Sequence, residues 1–537
     1  MRQFIVFFVS LCFGTAIGQV QNLGALSSGR FLDSSVIMEE DESDVFGYCL
    51  LYELDRKSKE VFDLEYVVLD KNLNKLTSFS LTQAVFKTWM ARTRAELTFV
   101  KKIGNQLTIG VNDRLVKLDA YDLMPFFNYR FVNVNLDNFT FSKEFKYEKF
   151  EAKEYTYKSG DKMEFGDFWD LQKLVKTKSN HFLAFASPEY NPKAEAISSM
   201  VTFDFKRQKS INRFAVLDKD MKIVWSKNIN ADKKTACKYE YLDSDDEVLL
   251  LKKETLIKKV ALEAKSIEVY NIKTGDLLGE IKLEDELYDI NLYSTSIVKD
   301  KIHVFTNTYE NSKKGWNMGY GHLVFDKKTV AEGKRNFVLW KDLGKAIPGV
   351  KEHGAIGKDI SLMAQDFIIT PKGTMLMVLE GYGFKGGLQF ATTSPKAYAL
   401  LNDLYLIEFN DDNNIVFSKQ LDKKNSVEVY PGISGLDMKK YGVFDYIFCQ
   451  KINKAGDYVL YYTLNDQEGN KKKMAKKPLW TMGIVSNVGG EYGFETLPLY
   501  GDDLKIYPGL AKNGYIRLLE VNLKTNQAEM RLEKINY

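Results

Sequence analysis

The chain has 537 residues, with 75 basic and 72 acidic side chains and a formal net charge of +3. Hydrophobic residues make up 45% and charged residues 27%, the balance of a folded chain with a sizeable core. The charges interleave, so no basic patch argues for nucleic acid or an anionic membrane surface, and the cysteines are too few for a disulfide framework.

Taken in chain order, MRQFIVFFVSLCFGTAIGQ reads as a secretory signal peptide. Arg2 supplies the positive start, Phe4–Phe13 the short apolar run, and Ala16-Ile17-Gly18 a small-residue cleavage site before Gln19. The run is too short to cross a membrane, and no later stretch approaches 18 apolar residues, so no transmembrane segment is expected. Leu11 before Cys12 is too bulky for a lipid-attachment signal. Residues 19–45 read as a leader with an acidic run, Glu39-Glu40-Asp41-Glu42. Cys49 and Cys449 lie in apolar strand-like runs and read as small core residues, and Cys237 has no partner selected by spacing.

From there one hairpin recurs. Tyr66–Leu81 (YVVLDKNLNKLTSFSL), Phe214–Ile229 (FAVLDKDMKIVWSKNI) and Leu406–Leu421 (LIEFNDDNNIVFSKQL) align without a gap. Each is an apolar run, Asp or Asn, a polar turn and a second apolar run. Looser copies stand at Ile267–Leu283 and Leu519–Ile535. An earlier hairpin precedes the marked one in several units, as in YEYLDSDDEVLLLKK, DFIITPKGTMLMVLE and YIFCQKINKAGDYVLYYTL. Two hairpins make four antiparallel strands, one propeller blade, and a repeated unit buries its apolar face against its neighbours. The units run 46–85, 95–150, 165–230, 238–284, 288–341, 362–422 and 443–500, with a half-unit at 503–537 that lacks a partner hairpin and could pair with strands near 20–50. Phe168–Lys178 and Ser80–Arg94 could carry a helical turn, and Ile347–Leu362 reads as a long connection. The expected fold is all-β: a single β-propeller of about seven four-stranded blades, with six or eight as neighbours, spanning 19–537. Two propellers or sandwiches in tandem are the alternative, weakened by the lack of a Pro/Ser/Gly-rich linker.

The hairpin VYNIKTGDLLGEIKL at Val269–Leu283 resembles the quinoprotein-type propeller repeat of a strand, Asp, an x-Thr-Gly turn and a strand bearing Trp. Asn271 replaces the Asp and Gly279 stands near the Trp position, which Trp225 fills in the third unit and Phe417 in the sixth. The resemblance implies the fold and no quinone. As a whole the chain is similar to uncharacterised secreted Bacteroidota-type proteins with propeller-like repeats, on segments such as LNDLYLIEFNDDNNIVFSK. That implies a secreted or cell-envelope setting and no known activity.

Chemistry-bearing residues are sparse. The histidines are His181, His303, His322 and His353, none at metal-site spacing; only His353, in the loop KEHGAIG, suggests function. No Gly-x-Ser-x-Gly elbow supports a catalytic triad. The acidic turns Asp218-Lys219-Asp220 and Asn410-Asp411-Asp412 could bind calcium or mimic a sialidase-type Asp-box, but Asp and Asn also cap turns on their own backbone. Asp243–Glu247 reads as a solvated hairpin tip. No cofactor and no catalytic residue is assigned. Two Gly-aromatic segments, YENSKKGWNMGY (Tyr309–Tyr320) and EGYGFKGGLQF (Glu380–Phe390), read as loops at corresponding places in consecutive units. They make Tyr309, Trp316, Tyr320, Tyr382, Phe384 and Lys385 the expected ligand-binding residues, for a glycan, peptide or protein. The expected function is a non-catalytic binding or scaffold protein; a secreted glycan hydrolase or lyase is the alternative.

Overall fold

The computed structural model describes residues 19–56, 61–84, 91–117, 129–148, 173–186, 212–229, 235–257, 261–311, 315–385, 397–423, 426–430, 438–439, 442–464, 480–499, 503–525 and 527–536. They form eight small antiparallel sheets in a ring, a β-propeller with eight blades. Blade 1 is Arg30–Met38, Val45–Arg56, Val61–Asp70 and Lys75–Ala84. Blade 2 is Ala91–Ile103, Gln106–Lys117 and Tyr129–Asn135, with Phe141 and Phe145 bridging back to its third strand. Blade 3 is Lys173–Lys176, Phe182–Ala186, Asn212–Leu217 and Ile223–Ile229. Blade 4 is Thr235–Ser244, Val248–Ile257, Ala261–Asn271 and Leu277–Lys282. Blade 5 is Tyr288–Val298, Lys301–Glu310, Asn317–Asp326 and Glu332–Leu339. Blade 6 is Ile360–Ile369, Met375–Lys385, Ala397–Phe409 and Ile415–Leu421, with the short strands Ala355–Ile356 and Ser426–Tyr430 added. Blade 7 is Tyr446–Lys451, Tyr458–Leu464, Trp480–Val488 and Glu491–Leu499.

Blade 8 explains the count. Leu504–Gly509, Tyr515–Asn522 and Ala528–Lys534 are completed by Gln19–Asn22, which pairs antiparallel with the last strand, Gln19 opposite Leu532. The half-unit is therefore completed to a whole blade by a strand near residue 20, as expected, and the ring has eight blades, within the expected six to eight. Residues 19–45 are not a leader: they hold this closing strand and the innermost strand of blade 1. Of the segments suggested as helical, Lys173–Lys176 and residues 80–84 and 91–94 are strand, and Thr177 and Lys178 lie in the turn that follows Lys176.

An apolar cluster fills each junction between consecutive blades. Between blades 8 and 1, for example, Tyr48, Leu50 and Tyr52 meet Ala528, Met530 and Leu532. Seven further clusters join 1 to 2, 2 to 3, 3 to 4, 4 to 5, 5 to 6, 6 to 7 and 7 to 8. The ring is thus closed by hydrophobic burial, the main favourable term in folding.

The repeated hairpin has one geometry. Asp70, Asp218 and Asn410 each direct a side-chain oxygen to the backbone N–H two and four residues on. The fourth turn residue sits at positive φ in each: Leu73 at 66°, Met221 at 60° and Asn413 at 62°. The turn reading of these acids is the one the structure shows, with carboxylates and amide capping their own backbone. The outer strands of blades 1, 3, 4, 5 and 6 then each carry a one-residue bulge, directly after which Thr77, Trp225, Gly279, Lys334 and Phe417 occupy one column. Trp225 and Phe417 both pack half-buried into the junction with the next blade. Trp225 lies against Gly275, and Phe417 stacks on Tyr492 with ring centroids 4.0 Å apart.

Candidate functional site

In an antiparallel blade the second turn and the connector to the next blade open on one face, and the first and third turns on the other. We call these the connector face and the turn face. The two Gly-aromatic segments belong to the second turns of blades 5 and 6 and so share the connector face. They are less loop-like than expected. Tyr309 is the penultimate residue of the second strand of blade 5 and Tyr320 lies inside the third, while Glu380–Lys385 continue the second strand of blade 6. The glycines serve close approach. A Cβ on Gly383 would stand 2.2 Å from the Asp359 carbonyl oxygen, and one on Gly319, at φ 145°, 2.0 Å from that of Val338. Residues 386–390, and the side chains of Phe384 and Lys385, lie outside the described residues.

The face is organised around the connector 340–359. Trp340 is buried and donates through Nε1 to Asn317 Oδ1 at 2.8 Å. Gly354, at φ 73°, passes so close to the Trp340 ring that a Cβ would lie 2.6 Å from it. This turn presents His353, whose ring stacks on Trp316 at 4.7 Å with planes 17° apart. Trp316 remains 47% exposed. Below it, Tyr309, Tyr320 and Tyr382 lie within electrostatic reach of one another; burial first, and then the neighbouring phenols, push the hydroxyls of Tyr320 and Tyr382 up. Tyr382 meets Phe444 edge-on at 5.7 Å. Tyr320 is a core residue, and its hydroxyl accepts the Ala364 N–H at 2.8 Å. Of the expected set, Trp316 is the side chain most open to solvent among those described.

The structure continues this face inward to a polar cluster that the sequence did not single out. Tyr293, on the innermost strand of blade 5, contacts Tyr320 edge-on at 6.0 Å and donates to the Ala364 carbonyl. Lys439, from the connector between blades 6 and 7, lies over the Tyr293 ring at 4.3 Å, donates to the Tyr293 hydroxyl, and donates to the Gln365 carbonyl at 2.6 Å. Asp366 follows the bulge in the innermost strand of blade 6 and accepts from the Tyr446 hydroxyl of blade 7 at 2.6 Å. Burial raises the Asp366 carboxyl, with Tyr446 and Lys439 opposing; burial lowers the Lys439 ammonium to about 8, with Asp366 opposing.

Asp366 has two counterparts. Asp33 and Asp243 follow the same inner-strand bulge in blades 1 and 4. Each of the three accepts at Oδ1 from the next residue's N–H and at Oδ2 from the next blade, from Leu97 N–H, Ile297 N–H and the Tyr446 hydroxyl. Asp243 is thus buried and structural, also paired with Lys178 at 2.9 Å, where a solvated tip was expected; Asp245 in the same hairpin caps Glu247 and Val248. A signal was present: an Asp interrupting a strand-like run in FLDSS, YLDSD and AQDFI.

Other charged groups serve the junctions. Glu380 accepts the N–H groups of Asp445 and Tyr446, both at 3.1 Å, and Lys423 pairs with Glu380 at 2.9 Å and Asp445 at 2.6 Å, wholly out of solvent. His303 and His322 are buried side by side, Nδ1 to Nε2 at 3.0 Å. A cavity of about 300 Å³ between blades 4 and 5 is lined by Glu247, Lys273, Lys327 and Lys328, but Lys327 is already held by Asp245 and Glu247. Cys49 and Cys449 are free thiols; the side chain of Cys237 lies outside the described residues. Among the described residues no helix is long and apolar enough to cross a membrane, and no three His, Cys, Asp or Glu side chains gather as metal ligands.

Residues 200–536 match the family model DUF6770, a family of unknown function. The chain belongs to this DUF6770 family. The matched part of the DUF6770 chain takes in the last two strands of blade 3, blades 4 to 7 and the three C-terminal strands of blade 8, and so the site residues over blades 5 and 6. No curated protein matches. Among solved structures, a prolyl endopeptidase is similar at 10% identity and a TM-score of 0.37, covering 92% of this chain and 55% of its own. The β-propeller domain of the Trilobed protease from Pyrococcus furiosus is similar at 11% identity and 0.31, covering 82% and 96%. The Cps50 (Swd1) propeller domain from Myceliophteria thermophila follows at 9% and 0.28, covering 84% and 99%. The chain thus spans about half the length of the prolyl endopeptidase.

Proposed function

We propose that this DUF6770 protein is a secreted or cell-envelope propeller that binds a glycan or peptide on the connector face over blades 5 and 6, without chemical turnover. The observation that carries this reading is the Trp316–His353 stack: one indole face rests on the imidazole while the residue stays 47% exposed. A flat aromatic held rigid from behind offers contact area at little entropic cost, which suits the apolar face of a sugar ring or a peptide side chain. Tyr309 and Tyr382 lie on the strands that flank the second turns of the same two blades, and Phe384 and Lys385 follow Tyr382 on its strand.

The test is a glycan and peptide panel read by thermal shift on the mature chain, since ligands that bind only the folded state raise its stability. A hit should lose affinity on Trp316→Ala and on His353→Ala while the ligand-free melting temperature stays put. A hit whose affinity survived both substitutions together would overturn the assignment.

A second reading, a glycan hydrolase or lyase, has one observation behind it: the raised Asp366 carboxyl beside the lowered Lys439 ammonium in the channel wall. Turnover of a panel glycan, abolished by Asp366→Asn with binding retained, would favour it. The secreted setting rests on the leader before Gln19, the residue that opens the ring-closing strand. Amino-terminal sequencing of exported material should begin there; an intact Met1 on a cytoplasmic protein would refute export.

A further inference from the structure

On the turn face, residues 39–44 between the first two strands of blade 1 lie across the channel mouth. Their contacts reach two blades away in both directions. Asp41 pairs with Lys454 of blade 7 at 2.8 Å, and Glu40 accepts from the Asn180 amide of blade 3 at 3.4 Å. Glu40 also accepts the Gly104 N–H of blade 2 at 2.5 Å, and Lys102 stands 3.1 Å from Glu39 and 3.8 Å from Glu40. The crossing holds Glu42 at φ 53°, the left-handed region that a side-chain-bearing residue enters at a cost.

The wall beneath is basic. Lys101 is buried, with its ammonium held by the carbonyls of Thr177, Ser179 and His181. Lys176 donates to the Val100 carbonyl at 3.1 Å. Lys178 pairs with Asp243. Burial lowers the ammonium groups of Lys101, where Lys176 adds to it, and of Lys176, with Glu42 opposing at both; at Lys178 the Asp243 carboxylate and Glu42 outweigh burial and hold the ammonium up. Without the turn, Lys101, Lys102, Lys176 and Lys178 would lose Glu39, Glu40 and Glu42 and keep Asp243, Asp246 and Asp366 among their described acidic neighbours. Like charges crowded in a partly dry mouth attract an anion strongly.

We propose that this mouth is a binding site for an acidic peptide segment, filled in this structure by the chain's own Glu39–Glu42 run. The present occupant identifies the class. One carboxylate is met by a backbone N–H, a carboxamide and an ammonium, while the adjoining Glu39 and Asp41 go to separate lysines. Successive acidic side chains on a peptide backbone match that division of partners. A tethered segment competes at an effective concentration of about millimolar, so an outside peptide enters only against that competition.

The experiment titrates the peptide Glu-Glu-Asp-Glu into the full mature chain by calorimetry. The Glu39→Gln/Glu40→Gln/Glu42→Gln chain should bind at least about tenfold more tightly than the unsubstituted chain, more weakly as salt rises, and lose that gain on adding Lys102→Gln. Because the triple variant could fold poorly, Asp41→Asn, which releases only the exposed tie to Lys454, is titrated in parallel and should also tighten binding. No gain in either folded variant overturns the proposal, as does a gain that Lys102→Gln leaves intact. An oligogalacturonate arm separates ligand classes: binding of the oligosaccharide with none of the peptide also overturns it.

Discussion

Trp225 of blade 3 occupies the space that a side chain on Gly275 of blade 4 would need. A Cβ at 275 would lie 2.7 Å from the indole, whose Nε1 donates to the Ile272 carbonyl at 2.7 Å. The same relationship recurs around the ring. Val330, at φ 56°, crowds Gly279; the Lys334 ammonium meets the Asp411 carbonyl; Phe417 stacks on Tyr492. The outer strands of blades 3 to 6 thus lock onto the third hairpin of the following blade, at its turn or just after it. Because Gly275 sits at φ 79° as well, Gly275→Ala should cost both strain and a clash. Trp225→Ala should cost about 2–3 kcal/mol, below the full-burial range because the ring is only half-buried. Chemical denaturation measures both; an unchanged midpoint in either variant would show that the column does not hold the junction.

The triad Glu380–Lys423–Asp445 fastens blade 7 to blade 6. Removing one partner leaves charges in a site with no solvent, so Lys423→Met should destabilise by about 3–5 kcal/mol. Replacing all three by apolar residues should cost less than the single change, since no charge is then stranded. Urea unfolding of the two variants decides the order.

How much of this was legible follows from how local each feature is. The hairpins at 66–81, 214–229 and 406–421 could be read because an Asx-capped turn and its flanking strands are set by some 16 consecutive residues. The eighth blade could not: its fourth strand is QVQN, four residues without a clear apolar alternation, fixed only by pairing with Ala528–Lys534 at the other end of the chain. Lys439 was hidden for the same reason, since its partners come from blades 5 and 6 while it comes from the connector before blade 7. Trp316 and His353 were each visible as loop residues; their stacking was not, because it depends on how the connector folds back at Gly354.

Acid should loosen blade 5. Burial holds His303 down at about 4 and His322 at about 3, below the value near 6.5 of an unfolded histidine. Both rings are therefore neutral when folded and gain protons on unfolding. Their contribution to stability is complete above pH 6.5 and is lost as pH falls through 6.5 toward 4, at about 1.4 kcal/mol per pH unit for each proton taken up. His322→Phe keeps the stack on Phe305 and removes one titrating group, so its stability should fall less steeply over that window. Equal slopes for the two proteins would place the acid sensitivity elsewhere.

The ring closes through Gln19–Asn22, and that strand should be its weakest element. It has four residues, three of them exposed, against an outer strand of 10 residues in blade 1. Yet it covers the edge of Ala528–Lys534, whose Met530 and Leu532 are buried in the junction with blade 1. Gln21→Pro removes a backbone N–H of this edge strand and forces φ, which should cost up to about 3 kcal/mol if the strand stays paired and less if it detaches. Detachment has its own signature. Amide exchange should accelerate in Ala528–Lys534 while the blade 4 strands stay protected, because opening would be local to the seam. If Gln21→Pro changes neither the unfolding midpoint nor exchange in that strand, then hydrophobic packing at the junction holds the ring together without its fourth strand.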